Sequence, residues 1–254
     1  MKHAKLISIR ISHFTCIYAI AAPSHNNAAR QSTQLMMADR RVVVTGLGIV
    51  SCLGNTLEDV TASLKEAKSG ITFSEEYAER GIKSQVCGRP DLTEDEFKEL
   101  IPKQDLRFMG RNAKYAYIAM NNAIKDSGLK PEEYEENSRV SAILGQGGTS
   151  IPDITETVEA VNSGAKRWKN KVGPFRVTRS MGSTCSAVLS TAFKVQGASY
   201  SISSACSTGA HCIGTGFEQI LLGNSDISFC GAGEFFTLTN PEISTFSMSS
   251  HILS

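Results

Sequence analysis

From Arg40 onward, short β-branched runs that end in glycine alternate with longer stretches whose apolar residues recur every three or four positions. RVVVTGLG (Arg41 to Gly48) reads as a strand entering a glycine turn. Asn55-Thr56 then caps LEDVTASLKEAKSG, a helix with Leu57, Val60 and Leu64 on one face. RNAKYAYIAMNNAIKDSG predicts a second helix with Ala113, Tyr117, Met120 and Ile124 inward, stopped by Gly128 with Pro131 just beyond. RVSAILGQGG (Arg139 to Gly148) is the next strand and glycine loop, and Pro152 opens a short polar helix. Thr178 to Phe193 predicts a helix of small residues, and YSISSA a third extended segment. GTGFEQILLGNSD carries a helix onward from Cys206 to Gly223, and ISFCGAG (Ile227 to Gly233) is a fourth strand.

This alternation implies a layered α/β fold around a mixed, mostly parallel sheet, with no domain boundary between residues 40 and 233. A chain of 254 residues, 41% hydrophobic and 20% charged, has the composition of a globular protein. Its formal net charge of +1 gives no general pull toward nucleic acid or membrane, and neither is expected as a partner. Seven cysteines without close-set metal spacing argue against a disulfide framework or a zinc site and fit the reducing cytoplasm. No metal or cofactor is expected. The first 36 residues differ: Lys2, Lys5, Arg10 and Arg30 come with no acid before Asp39, around an apolar stretch from Phe14 to Ala22. One reading is a signal or transit peptide. The favoured one is an extension upstream of a start at Met36-Met37, because the stretch has no clear cleavage pattern and is short for a bilayer. Residues 1–36 are thus expected to lie outside the fold.

Among the glycine turns, VVVTGLGIVSCLG lacks the third glycine of a dinucleotide fingerprint, with Ser51 in its place, and reads as a structural turn. Gly145, Gly147 and Gly148 lack the lysine and hydroxyl pair of a phosphate loop and read as a close backbone approach to a neighbour or ligand. Cys52, Cys87, Cys185, Cys212 and Cys230 sit among apolar or small residues and read as small buried side chains. Cys206 sits instead where an extended run meets a helix start. Backbone N–H groups and the positive end of the helix dipole there favour a thiolate, and the sharp turn projects the side chain. The small residues around it, Ser204, Ala205, Ser207, Thr208, Gly209 and Ala210, suit such a crowded turn. His211, five positions on, points well away around the helix and reads as structural, and His251 lies in a terminal stretch without pattern. A thiol hydrolase with base and orienter cannot be assembled from these residues.

VVVTGLGIVSCLGN, KSGITF, RFMGRNAKYA, VGPFRVTRSM and above all YSISSACSTGAHCIG, followed by EQI, LGNSDI and GAGE, resemble the N-terminal half of a β-ketoacyl-acyl carrier protein synthase of type I. The resemblance covers about Arg41 to Glu234 and implies a thiolase-like fold, of which this chain carries the N-terminal half. It implies a domain at 37–234 and a divergent tail at 235–254. It also implies that Cys206 takes an acyl chain from acyl carrier protein as a thioester, which malonyl carrier protein then attacks after losing carbon dioxide. The backbone N–H of Cys206 would supply half of an oxyanion hole. Gly147 and Gly148 would lie near the acyl chain, and Met181 would reach the acyl pocket of a partner in a homodimer. In the family, the second half supplies two histidines, a lysine and a phenylalanine-containing loop. The resemblance therefore implies a truncated, condensation-deficient chain, with a silent fragment that only dimerises or binds carrier protein as the alternative. A polyketide-type chain-length subunit is disfavoured by the presence of Cys206. Lys166, Arg167, Lys169, Lys171, Arg176 and Arg179 form a basic run, and Arg107 and Arg111 are four apart. Lys103, Arg107 and Arg167 match basic positions near the family's docking surface for the acidic carrier.

Overall fold

The computed structural model describes residues 14–21, 40–164 and 172–235. In chain order it contains β1 (Phe14–Ala21), β2 (Val43–Ser51), α1 (Leu57–Lys65), β3 (Ile71–Phe73), α2 (Glu75–Glu79), β4 (Val86–Gly88), α3 (Glu94–Leu100), α4 (Lys103–Leu106) and α5 (Arg111–Ser127). There follow α6 (Pro131–Tyr134), β5 (Val140–Gly145), α7 (Ile151–Asn162), α8 (Arg176–Ser180), α9 (Thr184–Ala192), β6 (Ser199–Tyr200), a 3₁₀ turn (Ala205–Ser207), α10 (Thr208–Leu221) and β7 (Ile227–Ala232). A five-stranded sheet runs β2-β1-β7-β5-β6, while β3 and β4 pair separately. β5 lies parallel to β6 and β7, and β1 is antiparallel to both its neighbours. Among the described residues no helix is long and apolar enough to cross a membrane.

The strands β5 and β7 are sandwiched, so they read as nearly continuous apolar runs. Successive residues of β5 serve opposite faces: Ala142 and Leu144 join the cluster formed with α5 and α9, while Ile143 joins Cys212 and Ile220 of α10. Phe229 and Cys230 of β7 divide the same way. The helix α5 buries Ala113, Ala116, Ala119, Met120 and Ala123, and it ends as predicted on Gly128, whose φ of 71° is left-handed. Its small residues let it lie almost on the backbone of β2. A Cβ added to Gly48 would stand 1.8 Å from the Ala119 carbonyl oxygen, and one on Gly46 2.3 Å from that of Ala123.

Those two glycines therefore belong to a strand and a helix–strand contact rather than to a turn. Four further differences from the sequence reading have physical causes. Residues 14–21 are not outside the fold, since they form β1 in the middle of the sheet, hydrogen-bonded along both edges. Leu64 is exposed because α1 is rotated to bury Ser63, whose hydroxyl donates to the Leu53 carbonyl at 2.8 Å. Thr56 alone caps that helix, accepting from Asp59 N at 3.1 Å. The helix expected over Thr178 to Phe193 breaks at Met181, whose carbonyl accepts from Gln146 Nε2 at 2.8 Å and from Thr184 Oγ1 at 2.7 Å. A tertiary partner thus captures the group that a continuous helix would have used internally.

Candidate active site

The carboxyl ends of the parallel strands β5, β6 and β7 open at one edge of the sheet, the place where open α/β sheets gather their ligands. Cys206 sits there, in the 3₁₀ turn between β6 and α10, and is the exposed cysteine among the described ones. Cys185, Cys212 and Cys230 are buried as expected, whereas Cys52 and Cys87 are only half-buried. The turn is held by Thr208, itself buried. Its hydroxyl donates to the Ala205 carbonyl at 2.7 Å and accepts from Ser204 N at 2.9 Å. Ala205 has a φ of 49°, a left-handed conformation that an alanine adopts at a cost of about 1–2 kcal/mol. This strain immediately precedes the thiol and is imposed by the staple behind it. His211 Nδ1 lies 2.7 Å from Ser204 Oγ, on the exposed side of the turn.

The glycine loop after β5 closes the other wall. A Cβ on Gly147 would stand 2.8 Å from the Ala205 carbonyl and 2.7 Å from the Glu234 carboxylate, so only glycine fits between the cysteine turn and that acid. Glu234 accepts from the Gly147 N–H, and burial nevertheless holds its carboxyl above the ordinary glutamate range. One residue earlier, Gly233 N donates to the Gly145 carbonyl at 3.1 Å. Asn112, buried at the start of α5, donates to the Gly148 carbonyl at 3.0 Å. Gln146 links the loop to the break before α9. Burial pushes the Cys185 thiol up to about 12, so it stays protonated and donates to Gln146 Oε1 at 3.3 Å. Gln146 Nε2 in turn holds the Met181 carbonyl.

The structure thus brings Gly147 against the cysteine turn, holds Gly148 and Met181 through Asn112 and Gln146, and sets Lys103 and Arg107 elsewhere. Those two line a cavity of about 670 Å³ together with Arg111, Lys114, Arg176 and Arg179 and three acids, Glu94, Asp153 and Glu156. The acids are engaged: Glu94 pairs with Arg111 at 2.6 Å and Lys114 at 2.7 Å, and Arg176 pairs with Asp153 at 2.8 Å and with Glu156. Arg107 lies over the rings of Phe108 and Phe175, at 5.0 and 5.4 Å from their centres. Arg167 and His251 lie outside the described residues. The sequence reading missed Thr208, Asn112, Gln146 and Glu234 as supports of the site. Asn112 carried a signal, a polar residue on the otherwise apolar face of α5, and the others carried none without the three-dimensional neighbours. Among the described residues no cluster of three or more His, Cys, Asp or Glu is placed to hold a metal ion.

An exposed thiol on a turn that Thr208 holds, with the glycine loop lying against that turn, has the access and setting of a nucleophile. The family model for the beta-ketoacyl synthase N-terminal domain matches residues 39–254. Over 195 residues the chain is 47% identical to 3-oxoacyl-[acyl-carrier-protein] synthase 1 of Escherichia coli (strain K12), an alignment covering 77% of this chain and 47% of that protein. The chain spans about half the length of the curated relatives it matches. A beta-ketoacyl synthase from Burkholderia phymatum STM815 shares the fold at a TM-score of 0.67 and 24% identity, over 81% of this chain and 49% of that one. A ketosynthase solved with its type II acyl-carrier protein, AntDE:AntF, does so at 0.61 and 20%, over 82% and 54%. These neighbours make the layered fold thiolase-like. With the cysteine turn, the glycine loop and the family model all falling on one segment, the chain belongs to the beta-ketoacyl synthase family, whose N-terminal domain it carries.

Proposed function

We propose that this chain performs the acyl-accepting step of a 3-oxoacyl-acyl carrier protein synthase of fatty-acid elongation, with Cys206 as nucleophile. Cys206 Sγ attacks the thioester carbonyl of an acyl carrier protein; the new sulfur–carbon bond forms as the carrier thiolate leaves with the electron pair. The observation that carries this reading is the exposed thiol on the strained turn, pressed against Gly147 at the carboxyl ends of β5, β6 and β7. The N–H of Cys206 is the proposed oxyanion donor, and Gly147, Gly148 and Met181 flank the acyl chain. An acidic carrier protein docks at Lys103, Arg107 and Arg167. Condensation with malonyl carrier protein follows in the whole enzyme, which acts as a cytoplasmic homodimer. Support comes from the names of the relatives and from the neighbour solved with its own acyl-carrier protein.

The test is intact mass after incubation of the purified chain with an acyl carrier protein thioester. One acyl group is expected on the wild type and none on Cys206→Ala, with slower loading of Arg107→Glu at low salt. Folded protein that gains no acyl group would identify a silent chain that retains only the architecture.

A further inference from the structure

The short helix α8 is fastened to both ends of the glycine loop. At the entrance, Gln146 Nε2 donates to the carbonyl of Met181, the residue on which α8 ends. At the exit, Ser150-Ile151-Pro152-Asp153 has the spacing of a capping box, in which each polar side chain would serve the other's backbone. Ser150, the N-cap of α7, makes no such side-chain bond to the helix. Its hydroxyl donates instead to Asp153 Oδ2 at 2.6 Å, and Asp153 Oδ1 accepts from Arg176 Nη1, at the start of α8, at 2.8 Å. Asp153 is only 7% exposed, and a carboxylate so withdrawn from water depends on its counter-charge. Arg176 also pairs with Glu156. Arg179, three residues on, stands 3.7 Å from Asp153 and donates from Nε to the Arg107 carbonyl at 2.9 Å.

No slack remains around the exit. A Cβ on Gly110 would stand 2.9 Å from that of Ser150 and 3.1 Å from the Arg179 carbonyl oxygen, so the loop exit, the start of α5 and the end of α8 meet in contact. Between its two fastenings the loop touches the cysteine turn. Ser203 Oγ donates to the Gly147 carbonyl at 3.4 Å, and Gly147 has no room for a Cβ beside the Ala205 carbonyl. A shift of Ser150 therefore moves the surface against which Ala205 is set in its left-handed conformation, and Cys206 is the next residue.

We infer that Asp153 is a positioning residue for Cys206: it joins Ser150 to Arg176, so that α8 holds the exit of the glycine loop as Gln146 holds its entrance, and the loop in turn holds the cysteine turn. This role deepens the acyl-accepting reading and rests on Cys206 as its nucleophile. An aspartate that only stabilised α7 would leave the thiol unaffected.

The test labels the full chain with iodoacetamide near pH 7 and follows Cys206, Cys52 and Cys87 separately by peptide mass. The half-buried Cys52 and Cys87 are references within the same molecule. Asp153→Ala is expected to slow Cys206 about threefold or more relative to them, because the turn leaves the setting at the start of α10 where backbone N–H groups favour the thiolate. Ser150→Ala leaves the pair of Asp153 and Arg176 intact and should slow Cys206 equally, and the double variant no further, since the two residues act in one chain of contacts. Asp153→Asn keeps an oxygen for Arg176 and an amide for the Ser150 hydroxyl and should restore most of the rate. Unchanged or faster labelling of Cys206 in the folded variants, or a common change at all three thiols, would overturn the inference. Should Asp153→Ala fail to fold, Ser150→Ala decides: slowed Cys206 supports the inference and an unchanged rate overturns it. The readout needs no carrier protein. A wild type that gains no acyl group, with Cys206 slowed in the variants, would refute the acyl-accepting reading and leave the role of Asp153 standing; acyl loading with unchanged labelling would do the reverse.

Discussion

Glu234 is the residue whose chemistry most directly shapes the cysteine turn, because its carboxylate fills the space that any side chain at residue 147 would need. Burial is the leading influence on its carboxyl and raises it, with the Gly147 N–H opposing. The sign follows from linkage. A carboxyl that ionises at higher pH when folded contributes stability that is full below the unfolded value of about 4.3 and is lost as pH rises through the folded value. Glu234→Gln keeps an acceptor oxygen for Gly147 but never ionises. The variant should therefore match the wild type in melting temperature near pH 4 and exceed it at pH 8. A wild type that is the more stable form at pH 8 would show that the carboxylate itself is needed. Ala205 is strained beside it, and the strain persists because Thr208 grips the turn on both sides.

At the scale of elements, α3 shows how local chemistry and packing cooperate. Thr93 and Glu96 form a reciprocal capping box, with Glu96 N donating to Thr93 Oγ1 at 3.3 Å and Thr93 N donating to Glu96 Oε2 at 2.7 Å. The cap aims Phe97 into the core, where its ring centre lies 5.6 Å from that of Tyr115 and 4.9 Å below Lys114 Nζ. Thr93→Ala should cost about 1 kcal/mol in urea unfolding with an unchanged slope. A change in slope would mean that α3 detaches as a unit. The predicted end of α5 at Gly128 was legible because a left-handed cap is a local requirement. The break at Met181 was not legible, because the amide that captures its carbonyl lies 35 positions earlier in the chain.

At the scale of the whole molecule, the charge of +1 hides an uneven surface, with cations gathered around the cavity of Lys103 and Arg107 and an apolar face on α7. Ile154, Val158 and Val161 recur on one side of that helix and are 38%, 51% and 45% exposed, with Val177 70% exposed on the adjoining α8. We propose this face as a contact surface of the homodimer, since contiguous exposed apolar patches of this kind serve protein association. Val158→Glu should lower the sedimentation mass toward that of a single chain at concentrations where the wild type associates. Equal masses for the two would remove α7 from the proposed dimer contact.

By itself the sequence determined the layered α/β class, the long helix α5, the strands β2, β5 and β7, and the strand-to-helix setting of Cys206. Each of these is written in local signals: apolar periodicity, a glycine cap, and a cysteine where an extended run meets a helix. Only the tertiary structure decided that Gly46 and Gly48 serve the contact with α5, that Glu234, Asn112 and Gln146 support the glycine loop, and that residues 14–21 complete the sheet. Those outcomes depend on groups brought together from distant parts of the chain. An apolar stretch between basic residues carries no local mark of the two strand edges that await it.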